Sequence, residues 1–103
     1  MKHLPFDLDR YFVRTADTIE IPMSDLVPGK PHAIERANEL MFAAYNGEQE
    51  RRAPITVVNR GKRPRRQRRN MTHAAYKVMD GNSTLVNAVQ SGWPTILAVV
   101  EEK

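Results

Sequence analysis

The sequence contains no cysteine. Disulfide bonds, thiolate metal sites and cysteine nucleophiles are therefore excluded, and the composition suits a reducing compartment. Long apolar runs are also missing, because no stretch approaches the ~20 residues that a membrane-spanning helix needs. The first residues lack the apolar centre of a signal peptide. From these absences we expect a soluble cytoplasmic protein, with one domain because 103 residues are too few for two cores.

Acidic residues are missing between positions 51 and 79, and the basic excess of the chain lies in that gap. The net charge is +4, yet seven of the 16 Lys and Arg residues fall between positions 60 and 69. They are Arg60, Lys62, Arg63, Arg65, Arg66, Arg68 and Arg69. A block of like charge repels itself and rarely packs, so we predict an exposed basic loop over residues 60–73. Such a loop is typical of an arginine-rich arm that binds nucleic-acid phosphates; the alternative is a solvated loop without a partner.

Hydrophobic periodicity predicts the element order β-α-β-β-α-β. Strands are predicted at residues 18–22, 54–59, 76–79 and 95–100, and helices at about 31–47 and 82–91. Within them we expect Ile19 and Ile21 to face inward, Leu85, Ala88 and Val89 to share one helix face, and Met41 and Met79 to fill the core. The two middle strands could pair as a hairpin that carries the basic loop. The predicted fold class is a small single α+β domain with a mixed sheet, over residues 18–103.

Residues 1–17 contain several apolar side chains without a clear strand or helix period. We interpret them as an N-terminal extension that docks on a hydrophobic surface. That surface belongs either to the same domain or to a second copy of the chain. A homodimer formed through residues 1–17 is therefore one expectation.

The segment Asp80-Gly81-Asn82-Ser83-Thr84 lies where a predicted strand becomes a helix. A helix N-terminus exposes backbone N–H groups and the positive end of the helix dipole, which together favour a bound phosphate. Ser83 and Thr84 could add hydroxyl donors, and Asp80 could offer a carboxylate to a metal or a proton. The alternative is purely structural, with Asp-Gly forming the turn and Asn82 or Ser83 capping the helix.

Three further motifs accompany this turn. Residues 19–28 read Ile-x-Ile-Pro-x-x-x-Leu-x-Pro, residues 54–57 read Pro-Ile-x-Val, and the second helix ends in Ser-Gly-Trp-Pro at 91–94. Over residues 18–101 the chain thereby resembles the ParB/sulfiredoxin-like superfamily, which includes ParB-like nuclease domains. The resemblance implies that the turn binds phosphate through Gly81, Asn82, Ser83 and Thr84.

The turn also departs from that superfamily. Ser83 and Thr84 stand where relatives place His or Arg, so the turn has no cation of its own, which argues against partition-type CTP switching. The lack of cysteine excludes sulfiredoxin-type reduction of a sulfinic acid. We expect the basic loop to supply the missing cations.

Three functional hypotheses follow from these patterns, of which the third is a protein-interaction module that uses residues 1–17 for self-association. In the first, the domain binds a nucleotide or a nucleic acid at the turn; if it is an enzyme, the reaction is metal-assisted phosphodiester or nucleotide hydrolysis with Asp80 as metal ligand or base. A nucleotide and a divalent metal are then the candidate cofactors, although His3, His32 and His73 lack metal-ligand spacing. In the second, the protein is a non-enzymatic nucleic-acid-binding accessory protein that acts through its basic loop.

Overall fold

The computed structural model describes residues 2–59 and 75–101. The described helices are α1 (Leu8–Tyr11), α2 (Ile34–Tyr45) and α3 (Asn82–Gln90). The described strands are β1 (Thr18–Pro22), β2 (Leu26–Val27), β3 (Ile55–Asn59), β4 (Tyr76–Asp80) and β5 (Thr95–Glu101). All of the predicted basic loop, residues 60–73 with their seven basic side chains, lies outside the described residues. In the part of the chain that the structure describes, no helix is long and apolar enough to cross a bilayer.

The five described strands form one mixed sheet in the order β1-β5-β3-β4-β2. Strand β5 pairs antiparallel with β1 and parallel with β3, while β4 pairs antiparallel with β3 and parallel with β2. The predicted α+β class, the mixed sheet and the β3–β4 hairpin are confirmed. Helix α1 and the two-residue strand β2 were not predicted, because elements this short carry too few residues to show a period.

The core lies around the two central strands. Ile55 and Val57 of β3 are buried, as are Ile96, Leu97 and Ala98 of β5. Since consecutive strand residues point to opposite faces, burial of three in a row means that both faces of β5 are covered. Helix α2 packs against α3, which places the start of α2 beside the first turn of α3.

The N-terminal segment packs into this same core. Leu4, Leu8, Tyr11 and Phe12 are all buried. The Tyr11 hydroxyl donates a hydrogen bond to the Pro5 carbonyl at 2.6 Å, and burial holds the pKa of Tyr11 well above its usual range. The described part of residues 1–17 therefore docks on the core of its own chain, which is one of the two surfaces expected from the sequence.

Three predicted inward-facing residues are exposed instead. Ile19 is 40% exposed because it lies near the start of an edge strand, with a neighbouring strand on only one side. Met79 is 48% exposed because its neighbour Val78 points inward and strand residues alternate. Val89 is 56% exposed. The buried face of α3 includes Thr84 and Asn87, and Val89 lies outside that face.

Candidate functional site

Gly81 forms the junction between β4 and α3. Its φ angle is +93°, in the left-handed region that favours glycine. A Cβ atom there would lie 2.6 Å from Cγ2 of Ile55. The turn therefore needs glycine for its backbone conformation and for its close packing on β3. Asp80 supports the turn, because its Oδ1 accepts a hydrogen bond from the Gly81 N–H at 3.0 Å.

Asn82 and Ser83 do not cap helix α3, so the capping interpretation is wrong. Gly81 occupies the N-cap position, and no side chain caps the helix. Asn82 Oδ1 instead accepts a hydrogen bond from the Gly29 N–H at 2.6 Å. Ser83 Oγ accepts from the His32 N–H at 2.9 Å and donates to the His32 carbonyl. Both side chains thus fasten the segment 29–32, which precedes α2, to the first turn of α3.

A buried polar network reinforces this attachment. Asn87 Nδ2 donates to the carbonyls of Ser83 at 2.9 Å and Ile34 at 3.1 Å. Its Oδ1 accepts from Asn38 Nδ2 at 2.8 Å, and Asn38 also exchanges two hydrogen bonds with the backbone of Lys2. Buried polar groups with satisfied hydrogen bonds favour one arrangement of the elements that carry them. The network therefore fixes the start of α2 against α3.

A cleft of about 400 Å³ lies between the start of α2 and the turn. All five residues of the predicted site line it, namely Asp80, Gly81, Asn82, Ser83 and Thr84. Two larger hollows of about 560 Å³ each lie elsewhere on the described surface and include none of these five residues. The predicted turn therefore lines a cleft that is large enough for a ligand.

Three cations that belong to none of the sequence motifs above also line the cleft. They are Lys30, from the segment before α2, Arg36, from the first turns of α2, and Arg52, from the segment before β3. Nη1 of Arg52 is buried and has no hydrogen-bond partner. No spacing in the sequence relates these residues to the turn. The one available signal for Arg52 was its position two residues before the Pro-Ile-x-Val strand motif.

The described residues offer few ligands for a metal ion near Asp80. Asp80 is exposed and uses one oxygen on the Gly81 N–H. Glu20 accepts a hydrogen bond from the Thr95 hydroxyl at 2.9 Å and does not line the cleft. Within residues 2–59 and 75–101, no group of three or more His, Asp or Glu side chains could hold a metal ion. A protein-held metal centre does not fit this set of donors.

Comparison with known proteins gives a fold and no sequence family. No protein-family model matches the chain, and no curated protein matches it. Sulfiredoxin from Arabidopsis thaliana is similar with a TM-score of 0.54 and 16% identity, over 84% of this chain and 85% of that one. C-terminally truncated ParB from Caulobacter crescentus, a chromosome-partitioning protein complexed with CTP-γ-S, is similar with a TM-score of 0.53 and 18% identity.

The match to ParB covers 84% of this chain and 44% of the ParB chain, so this chain spans less than half of that protein. At such low identities a structural match is informative about the fold alone. The expected resemblance is confirmed at that level: the chain has a ParB/sulfiredoxin-like fold.

Proposed function

We propose that this domain binds a phosphate-bearing ligand, a nucleotide or a nucleic acid, in the cleft at the start of α3. One observation carries the proposal: a helix N-terminus and the cations Lys30, Arg36 and Arg52 converge on one 400 Å³ cleft. The first turn of a helix has N–H groups without intrahelical acceptors, and the helix dipole adds partial positive charge there. Both features stabilise an anion at this position.

The charge of the cleft supports an anionic ligand. The described residues that line the cleft include three cations and one carboxylate, that of Asp80. One of the cations, Arg36, also lies 3.8 Å from the carboxylate of Glu39, which does not line the cleft. Arginine and lysine form charge-assisted hydrogen bonds with phosphate oxygens, which are roughly twice as strong as neutral ones. We therefore propose that Asn82 to Thr84 supply backbone donors while the cations neutralise the phosphate charge.

The shape of the cleft supports a ligand larger than phosphate alone. Ala37, Leu40 and Met79 line it together with the polar residues, so it has an apolar wall as well as a cationic one. Its volume lies within the ~300–1,000 Å³ typical of small-molecule sites. The ParB structure of the same fold contains CTP-γ-S. Nucleotides are accordingly the first ligands to test.

The binding experiment is a titration of ¹⁵N-labelled protein with CTP, ATP and inorganic pyrophosphate. We expect chemical-shift changes at the amides of residues 81–84, and none at Phe42 and Ala43 in a separate hollow. Lys30→Ala should weaken binding, whereas Lys77→Ala removes the same charge from an exposed position that does not line the cleft. Unchanged amides at 81–84 with every probe at millimolar concentration would contradict the proposal.

Hydrolysis is a separate proposal that rests on Asp80. Among the described lining residues, Asp80 is the carboxylate available to act as a base or to contact a metal brought in by the ligand. Nucleotide hydrolysis and plasmid nicking are measured with and without divalent metal, for the wild type and Asp80→Ala. Metal-dependent turnover that Asp80→Ala abolishes would support an enzyme. A wild type without turnover would leave a binding domain.

A further inference from the structure

Arg52 has surroundings that differ from those of its neighbours in the chain. Among the side chains that the structure describes, its Nη1 is the one buried nitrogen or oxygen without a hydrogen-bond partner. Arg51, the preceding residue, donates from Nη1 to the Asp9 carbonyl at 3.0 Å, and Arg14 pairs with Asp9 at 2.9 Å. A buried, unpaired guanidinium nitrogen is costly, and proteins rarely retain one without a use.

The backbone of Arg52 is held by the N-terminal segment. The Arg52 N–H donates to the Tyr11 carbonyl at 2.7 Å, and the Val13 N–H donates to the Arg52 carbonyl at 2.9 Å. These bonds form an isolated parallel bridge between Phe12 and Arg52. Tyr11 and Phe12 are fully buried, so the residues that hold Arg52 are themselves fixed in the core.

Arg52 is one of the residues that line the cleft at the turn. The turn has Ser83 and Thr84 and no cation, and the Ser83 hydroxyl is already bonded to His32. An anion in the cleft needs a cation that is close and fixed in position. Arg52 lines the cleft and its backbone is fixed, and its Nη1 is a donor for which the described residues provide no acceptor.

We infer that Arg52 is the principal anion-binding side chain of the cleft and that residues 11–13 position it there. The inference rests on the proposed function and adds a named ligand contact and a role for the N-terminal segment. It also makes ligand binding and docking of that segment thermodynamically coupled. Coupling is reciprocal, so a bound anion should stabilise the Val13–Arg52 hydrogen bond by the same factor as that bond strengthens anion binding.

The first test measures binding of inorganic pyrophosphate by calorimetry. Arg52→Gln should lower the affinity by about 10- to 100-fold, the range expected for a hydrogen bond to a charged group. Arg52→Lys keeps the charge and should recover part of the loss. Arg51→Gln removes the same charge one residue away, from a side chain that lines a different hollow, and should stay within about twofold of wild type.

A second measurement separates a ligand contact from a structural role. Arg52→Met replaces the unpaired guanidinium with an apolar side chain of similar length. The ligand-free variant should unfold at the wild-type temperature or above it, because an unsatisfied buried group has been removed, while pyrophosphate affinity falls. A large drop in unfolding temperature would instead identify Arg52 as a structural residue and overturn the inference.

The positioning role is tested at Val13, whose side chain is 42% exposed. Val13→Pro removes the N–H that bonds to Arg52 and should weaken pyrophosphate binding several-fold. Val13→Ala keeps that N–H and should bind like wild type. In the Arg52→Gln background, Val13→Pro should have no further effect.

The outcomes distinguish the two proposals. If wild type does not bind pyrophosphate or CTP, the proposed function fails. If wild type binds and Arg52→Gln binds equally well, only the inference about Arg52 fails. Equal effects of Val13→Pro and Val13→Ala would refute positioning by the N-terminal segment.

Discussion

The two ends of the β3–β4 hairpin differ in where their positive charge comes from. At one end Asp80 leads into α3, and the cleft gathers Lys30, Arg36 and Arg52 from separate parts of the chain. At the other end Asn59 pairs with Tyr76, and the chain between them contains the predicted basic loop. The ends are four residues apart along β4, or about 13 Å at the usual strand rise.

This difference changes what the basic loop is needed for. The sequence alone suggested that the loop must complete an anion site that lacks a cation. The cleft has cations of its own, so the described residues provide the charge that the turn lacks. We now expect two separable activities: a small phosphate-bearing ligand in the cleft and nucleic-acid phosphates on the basic loop.

The largest predicted effect tests that separation. Replacing Arg65, Arg66, Arg68 and Arg69 with Ala should lower nucleic-acid affinity by about a hundredfold or more and flatten its salt dependence by roughly 3 to 4 units of slope, at about 0.9 per lost phosphate contact. Pyrophosphate binding to the cleft should change little. Fluorescence anisotropy with labelled DNA and RNA at several salt concentrations measures the first effect, and calorimetry measures the second.

Two outcomes would contradict the proposed separation between the cleft and the basic loop. Equal nucleic-acid affinity for this loop variant at low salt would remove the basic loop as a binding arm. Loss of pyrophosphate binding in the same variant would restore the original expectation that the loop completes the anion site.

The next largest effect concerns the contribution of the Gly81 turn, at the cleft end of the hairpin, to the stability of the fold. Gly81→Ala should lower the free energy of unfolding by about 2–4 kcal/mol. The methyl group strains a left-handed backbone conformation, and it also lies too close to the side chain of Ile55. Gly47→Ala is the matched control, since Gly47 has a φ of +78° and open space around it. It should cost about 1–2 kcal/mol, from backbone strain alone.

Urea unfolding of both glycine variants gives the difference. A cost for Gly81→Ala no greater than that for Gly47→Ala would mean that β3 shifts to admit the methyl group. The close packing of the turn on Ile55 would then be unimportant for the shape of the cleft.

A smaller effect is expected where the segment 29–32 is fastened to the turn. Ser83→Ala removes both hydrogen bonds with the His32 backbone and should destabilise the fold by about 1–2 kcal/mol. It should also speed amide exchange at His32 and weaken pyrophosphate binding, because Lys30 belongs to the released segment. Val89→Ala, on the exposed face of the same helix, should change neither exchange at His32 nor binding. Unchanged exchange at His32 in Ser83→Ala would show that Asn82 and Asn87 suffice to hold the segment.

How much of this could be predicted from sequence depends on the range of each interaction. The main helices and strands were predicted because their periodicity is local, and the turn at Asp80 was identified because its residues are consecutive. Val89 was misassigned because the buried face of α3 is set by Asn87 bonding to Asn38 on another helix. Arg52 was missed because its position depends on a bridge to Phe12, forty positions earlier in the chain. Such contacts follow from topology, which one sequence does not specify.

The smallest effect expected at neutral pH concerns Tyr11, which anchors the N-terminal segment that holds Arg52. This effect also depends on pH. Burial disfavours ionisation of Tyr11, so the pKa is higher in the folded state than in the unfolded chain, where it is near 10.0. The contribution of Tyr11 to stability is therefore complete below pH 10. It decreases above pH 10, by up to about 1.4 kcal/mol per pH unit, because the unfolded chain loses a proton that the folded protein keeps.

Tyr11→Phe isolates the contribution of the Tyr11 hydroxyl and its ionisation to stability. At pH 7 the variant loses the bond to the Pro5 carbonyl and should be about 1 kcal/mol less stable. Above pH 10 its stability should fall less steeply than that of wild type, so the two curves should converge or cross. Urea unfolding from pH 7 to 11 measures both, with Tyr45 and Tyr76 common to the two proteins. Parallel curves would mean that Tyr11 ionises as freely in the folded protein as in the unfolded chain. The cleft would then be held by a looser anchor than the burial of Tyr11 and Phe12 implies.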